Sequence, residues 1–231
     1  MTHSLASLVI AGIAFSGSHT LLSSTRLRGS LRDQIGEQGF LLIYSLTGLV
    51  TFAWFIVAYA RAPFIPVWMP PIWTAWVPIT LMPVATLLLV SGYSTSNPTA
   101  VGMERSARAD DPAPGIMRVT RHPVMWALGL WGMSHFVANG DFASMWFFGV
   151  VGALALGGTV LIDRKKQLAL GSHWHRLASV TSNIPFAALV TRRTRLRWRD
   201  IGLLRPLAAL LLYIVLFLAH PLFAGVPVMV P

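Results

Sequence analysis

Three histidines lie within or beside long apolar stretches of this chain, and their type and position suggest chemistry. His19 lies near the end of the first apolar stretch, His122 opens the fourth, and His135 lies deeper within it. Ionisable groups inside a bilayer are costly, so they mark candidate functional sites. A neutral imidazole is a favoured ligand of metals and haem, and two histidines on different helices could hold one haem iron. Alternatively, each histidine donates a hydrogen bond to a neighbouring helix.

Further polar groups accompany these histidines. In Arg121-His122-Pro123 the proline suits a helix start, where free amide groups and the arginine favour an anion. This pattern indicates either a plain helix start with an interfacial arginine or a bound anionic ligand. Tyr44 lies inside the second apolar stretch and could orient a ligand. Asn139 and Asp141 flank Gly140, and they could cap a turn or line a polar opening.

The composition indicates the kind of protein that positions these groups. Of 231 residues, 55% are apolar and only 11% are charged, against about 25% charged in a soluble domain. So few charges cannot cover a water-facing surface. The absence of cysteine excludes a disulfide framework, a thiolate nucleophile and cysteine-ligated metals. The net charge of +10 comes from residues between apolar stretches, which favours a membrane topology signal over nucleic-acid binding.

The apolar stretches predict an all-α, polytopic transmembrane helical bundle with about six spans and a single membrane domain over 1–231. Each stretch approaches the ~20 residues that a bilayer requires. Asn139-Gly140-Asp141 predicts a tight helical hairpin, and Pro78 and Pro83 predict a kink. The expected spans are 4–24, 39–61, 72–95, 122–140, 143–162 and 203–224.

The basic residues predict the orientation. The loops 25–38, 96–121 and 163–202 contain nearly all of them, whereas the opposite side has only Arg61. These loops should therefore be cytoplasmic and both termini periplasmic, in a bacterial inner membrane. From Asp163 onward, cations alternate with Leu and Trp, which predicts an interfacial amphipathic helix on anionic lipid. Membrane lipid is thus an expected partner, and nucleic acid is not.

Two groups of motifs, spread over about 15–190, resemble the NnrU family of membrane proteins. That family is associated with nitric oxide and nitrite metabolism in denitrifying bacteria. The N-terminal group comprises Ser18-His19, Arg26, Leu31, Gly36 and Tyr44-Ser45. The central group comprises Arg121-His122-Pro123, Trp126, Leu130-Trp131, His135 and Asn139-Gly140-Asp141.

The resemblance implies a haem b site, because the family includes the haem-dependent zeta-carotene isomerase of plants and cyanobacteria. By motif position it implies that His19 and His135 are the axial ligands, with His19 and His122 as the alternative pair. The implied function is nitric oxide or nitrite metabolism, or haem-dependent cis–trans isomerisation of a polyene, a hydrophobic small molecule. The residues expected at the cofactor are His19, His135, His122, Arg121, Trp126, Tyr44 and Asn139.

A more distant similarity is to isoprenylcysteine and phospholipid methyltransferases. It implies an S-adenosylmethionine site and a lipid-like methyl acceptor. The counterparts in this chain are Arg121-His122-Pro123, Asp163, Gly171, Trp174 and Pro185. A non-enzymatic role as an assembly partner in the membrane is the third alternative.

Overall fold

The computed structural model describes residues 5–23 and 25–228, and for Thr25 and Arg26 the backbone alone. The regular structure of this part of the chain is helical, apart from an isolated antiparallel bridge between Pro66 and Asp141. Three short 3-10 helices, Ile72–Ala75, Glu104–Arg108 and Gly115–Arg118, accompany the α-helices. The α-helices are α1 Leu5–Leu22, α2 Thr25–Ala60, α3 Trp76–Tyr93, α4 Pro123–Ala138, α5 Phe142–Leu170, α6 Ser172–Val180, α7 Ala187–Val190, α8 Trp198–Ile201 and α9 Leu204–Ala224. The predicted all-α class is confirmed.

Five segments have the length and mean hydropathy of membrane-spanning helices. They are Leu5–Leu22, Leu27–Ala60, Ile72–Tyr93, Phe142–Leu170 and Leu204–Ala224. The chain is therefore a multi-pass membrane protein, as predicted. The expected fourth span, 122–140, forms α4, which has 16 residues and is shorter than the ~20 that a straight span requires.

The first expected loop, 25–38, is helical instead. Helix α2 begins at Thr25 and continues to Ala60, with one interruption at Gly36 (φ 75°, ψ 168°), a conformation that is essentially restricted to glycine. Across this break, Glu37 accepts ion pairs from Arg28 at 3.0 Å and Arg32 at 2.8 Å. Nothing in the sequence indicates that these pairs join two helical segments.

The segment expected as one interfacial helix from Asp163 is divided into two. Helix α5 continues through Asp163 to Leu170, and Gly171, with a φ of 52°, separates it from α6. Because α6 buries Trp174 and Leu177 against protein, its apolar face is not wholly available to lipid. Its location at the headgroup level stays a prediction.

The chain forms two compact units, each built from two separate segments. The first unit contains the described residues up to Pro71 and His135–Val151. There α1 and α2 pack antiparallel through a series of aromatic rings, since Phe15 contacts Phe52 and Phe55 at 5.0 and 6.1 Å. The prediction of a single domain is not tested by this division.

The hairpin turn between α4 and α5 lies in the first unit and matches its prediction. The Asn139 amide donates to the His135 carbonyl at 2.8 Å, which caps the end of α4. Asp141 accepts the Ser144 amide at 2.9 Å, which caps the start of α5. The segment 62–71 pairs with this turn through its backbone, as the Gly140 carbonyl accepts the Val67 amide at 2.7 Å.

The second unit contains Ile72–Ser134 and the described residues from Gly152 onward. Here α3 packs against α9, and the Tyr213 hydroxyl donates to the Ile79 carbonyl at 3.3 Å. A core cluster connects α3, the Gly115–Arg118 turn, α4 and α8. Its buried members are Leu88, Ile116, Val119, Ala127 and Ile201.

We expect Asp141→Ala to lower the free energy of unfolding by about 1 kcal/mol, because the first turn of α5 loses its cap. Denaturation of the detergent-purified protein, followed by circular dichroism, measures the change. Asp141→Asn keeps an acceptor oxygen and should restore most of the stability. Asp110→Ala, at an exposed position, is the matched control. Equal stability of the Asp141→Ala and Asp110→Ala variants would show that the cap contributes nothing.

Candidate functional site

The residues predicted for one cofactor site are divided between the two units. His19, Tyr44, His135 and Asn139 lie in the first unit. Arg121, His122 and Trp126 lie in the second unit. Each group is therefore considered within its own unit.

The hydrogen bonding of His19 leaves one of its ring nitrogens able to bind a metal. Its Nδ1 lies 3.2 Å from the Phe15 carbonyl oxygen, so Nδ1–H donates and the Nε2 lone pair is left for another ligand. The ring lies between Phe15, with centroids 4.6 Å apart, and the edge of Tyr44 at 5.5 Å. It also faces Gly48, where a Cβ atom would come within 3.1 Å of His19 Cε1. A side chain at this position would press on the imidazole, so the ring packs closely against the backbone of α2 at Gly48.

A half-buried arginine near this histidine has one nitrogen without a described hydrogen-bond acceptor. The Arg28 guanidinium lies 5.4 Å from the centre of the Phe40 ring, which stacks on Tyr44 at 6.0 Å. Arg28 Nε is buried and, among the described atoms, has no hydrogen-bond acceptor. An acidic ligand group next to Tyr44 would satisfy it.

His135 lies in a different environment, at the far end of α4. Its ring stacks on Phe148 with a centroid distance of 4.9 Å and an interplanar angle of 28°. Its carbonyl accepts both the backbone amide and the side-chain amide of Asn139. Asn139 thus caps the helix that carries His135.

The structure does not bring His19 and His135 together. His19 contacts α2 at Gly48, whereas His135 contacts Phe148, which lies 6.0 Å from Tyr59. Gly48 and Tyr59 are eleven residues apart in α2, which is about 16 Å along a helix axis. Two imidazoles on one metal ion are separated by two bonds of about 2 Å each. The expected pairing of His19 with His135 on one iron therefore does not fit this geometry. A series of packed aromatic rings, here called the aromatic column, lies between the levels of His19 and His135. Its members are Phe15, Phe52, Phe55, Tyr59, Phe147 and Phe148.

In the second unit, Asp163 of α5 collects hydrogen bonds from three side chains. Arg121 binds it in two places, with Nε at 2.8 Å from Oδ1 and Nη2 at 2.6 Å from Oδ2. His122 Nε2 lies 2.6 Å from Oδ1, and the Asn183 amide donates to Oδ2 at 3.1 Å. The Arg121 cation also lies 5.1 Å from the centre of the Trp174 ring. These contacts join the start of α4, the C-terminal part of α5, α6 and the segment after α6.

His122 is a structural member of this cluster. Burial lowers the pKa of His122, although Asp163 partly opposes that shift. Because an ionised carboxylate can only accept, His122 donates Nε2–H to Asp163. Trp126 donates its indole N–H to the Asn183 carbonyl at 2.8 Å. The Thr120 hydroxyl donates to the same carbonyl at 2.6 Å. The alternative pairing of His19 with His122 stays a prediction.

Sequence reasoning found Arg121, His122 and Asp163 but missed Asn183 and Arg28 as site residues. Asp163 is the only acid of α5 and lies where the apolar run of that helix meets Arg164, which was the available signal for its importance. No pattern in the sequence connects Asn183 with it.

The Asp163 cluster borders an open cleft of about 390 Å³. Ser182, Asn183 and Ile184 form one wall, together with Arg121 and Arg193. The described residues contain no group of three or more His, Asp or Glu side chains that could hold a metal ion.

We expect Asp163→Asn to lower the free energy of unfolding by about 2–4 kcal/mol, because it leaves the Arg121 cation largely buried without its counter-charge. Its matched control is Asp111→Asn, which removes a 2.7 Å ion pair with Arg118 from a side chain that is 46% exposed. That loss should cost at most about 1 kcal/mol. Chemical denaturation of both variants measures the difference, and similar losses would contradict a central role for Asp163.

The comparisons with known proteins agree with the motifs. No curated protein and no solved structure matches the chain. The model of one family, described as NnrU protein, matches residues 7–228, which is nearly the whole chain. The chain therefore belongs to the NnrU family.

Proposed function

We propose that this NnrU-family membrane protein binds haem b with His19 as its axial protein ligand, in nitric oxide or nitrite metabolism. The observation that carries the proposal is the Nδ1–H bond to the Phe15 carbonyl, which directs the free Nε2 of His19 outward from α1. Haem held by a single histidine would supply an iron that can bind a small molecule such as nitric oxide. The residues around His19 would then determine what reaches the iron.

Two further contacts support this assignment. Gly48 leaves room beside the His19 imidazole, and Tyr44 holds the ring from its edge. The unpartnered Nε of Arg28 suits one of the two carboxylates that haem b carries. A single protein ligand is consistent with the separation of His19 from His135. Isomerisation of an apolar polyene would use the same residues and remains the alternative substrate chemistry.

We expect His19→Ala to abolish the Soret band of the purified protein, whereas His135→Ala should keep the haem-to-protein ratio of the parent. Visible spectra of the oxidised and dithionite-reduced protein, with haem quantified as its pyridine complex, give the ratio. His220→Ala is the matched control. A colourless parent protein, expressed with ample haem, would overturn the proposal, and so would full haem content in the His19→Ala variant.

We expect Gly48→Val to reduce haem content at least tenfold, because its side chain would occupy the space beside His19. Gly17→Val is the matched control, since a Cβ at Gly17 in α1 meets no other described atom within 4 Å. Size-exclusion chromatography checks that both variants remain folded. Equal haem in the two variants would mean that Gly48 does not border the cofactor.

A second candidate is S-adenosylmethionine binding at the cleft beside Asp163. The observation in its favour is that Arg121, His122, Asp163 and Trp174, named from the methyltransferase similarity, come together in one cluster. Because Arg121 is already paired with Asp163, the cation that could bind the carboxylate of S-adenosylmethionine is Arg193, on the cleft wall. Isothermal titration should show binding that Arg193→Gln weakens about tenfold and that Arg105→Gln leaves unchanged. No heat of binding with the folded parent protein would remove this candidate.

A further inference from the structure

An exposed surface on the second unit combines apolar side chains with unpaired cations. We define it as the α7–α8 surface, residues 184–199. Its large apolar members are markedly exposed: Ile184 65%, Phe186 54%, Val190 79% and Trp198 77%. Such groups next to a membrane span mark an interaction site rather than ordinary surface.

Of the five arginines of this surface, only Arg197 has an ion pair with a described carboxylate, that of Asp200 at 3.2 Å. Asp200 is the only acid between 184 and 201. Arg192, Arg195 and Arg199 are exposed and have no such pair, and Arg193 donates to the uncharged Ala178 carbonyl. The surface therefore presents four positive charges without a described counter-charge among exposed apolar side chains, a combination that fits anionic headgroups above acyl chains.

The backbone around α7 is held in an uncommon conformation. Phe186 and Arg192 have φ values of 65° and 57°, and no other non-glycine residue in the described chain has a positive φ. A bulky side chain rarely adopts this conformation, and such residues cluster at functional sites. The two residues bracket α7. Phe186 is fixed there by its amide, which donates to the Val119 carbonyl at 2.8 Å.

Arg205 connects α8 to the ends of two candidate spans. Its guanidinium donates to the Ser94 hydroxyl at 2.9 Å and to the Ile201 carbonyl at 2.7 Å. Ser94 directly follows α3, and Arg205 lies in the first turn of α9, so the ends of two candidate spans meet there. Ile201 is the last residue of α8, so Trp198 lies about one helical turn before this meeting point.

We propose that the α7–α8 surface docks onto the membrane that the protein spans and binds anionic phospholipid. Phe186, Val190 and Trp198 enter the boundary between headgroups and acyl chains, while Arg192, Arg195 and Arg199 bind phosphate groups. Binding requires no haem, so the test is independent of the proposed function.

The absence of cysteine allows one fluorophore to be placed at will. Val190→Cys, labelled with an environment-sensitive dye, is reconstituted into nanodiscs of phosphatidylcholine, alone or mixed with phosphatidylglycerol. In the mixed discs we expect a blue-shifted emission, quenching by lipids brominated on the acyl chains, and at least a twofold loss of quenching by iodide. A dye at Asp110→Cys, on an exposed loop, should stay accessible to iodide in both discs.

Variants of three exposed arginines test whether binding depends on the charge of the lipid headgroups. Replacing Arg192, Arg195 and Arg199 together by Gln should abolish the dependence on phosphatidylglycerol, and replacing them by Lys should retain it. Arg105→Gln with Arg108→Gln is the control on another exposed basic segment. A dye equally open to iodide in both discs would overturn the proposal. Equal protection in both discs would also overturn it, because it would show apolar insertion without headgroup binding. Protection only after addition of another protein would assign the surface to a protein partner instead.

Discussion

A largely buried carboxylate is stable only if its oxygens are bound, and the second unit is organised around that requirement at Asp163. The Asp163 side chain is 17% exposed, and Arg121, His122 and Asn183 satisfy it. An unpaired charge there would have a large desolvation penalty, and one poorly placed partner would not compensate for that penalty. The segment after α6 must therefore return to the start of α4, and Thr120, Trp126 and Asn183 make the hydrogen bonds that hold it there.

The first unit follows a different constraint, the packing of aromatic rings. The aromatic column sets the register of α1 on α2 and leaves His19 and His135 at separate levels. Rings pack with defined centroid distances, so a shift of one helical turn would break several contacts at once. The separation of the two histidines is thus built into the packing and does not depend on the rotamer of either side chain.

The sequence was sufficient for some features of this protein and insufficient for others, for identifiable reasons. Hydropathy predicted about six spans, and five of them coincide with helices long and apolar enough to cross a membrane. Asn139-Gly140-Asp141 located the turn, and both predictions depend on local chemistry. The break at Gly36 was missed, since the residues before it have ordinary helix propensity and their charges suggested a loop. The expected proximity of His19 and His135 does not match the structure, because motif spacing in the sequence does not determine the register of one helix on another. Asn183 was missed for the same reason, as its role depends on a return of the chain rather than on its neighbours.

The backbone pairing of the segment 62–71 with the hairpin turn has a consequence for how this protein can vary. Its anchors are the amides of Val67, Trp68 and Phe142 and the carbonyls of Gly140 and Ile65. Main-chain groups are present whatever the side chain, so Phe64, Ile65 and Met69 can be exchanged without loosening the segment. Glycine at 140 is the exception, because a Cβ there would overlap the Trp68 carbonyl. Position 140 is therefore restricted to glycine. The exposed side chains of the segment 62–71 can change without altering the hairpin turn.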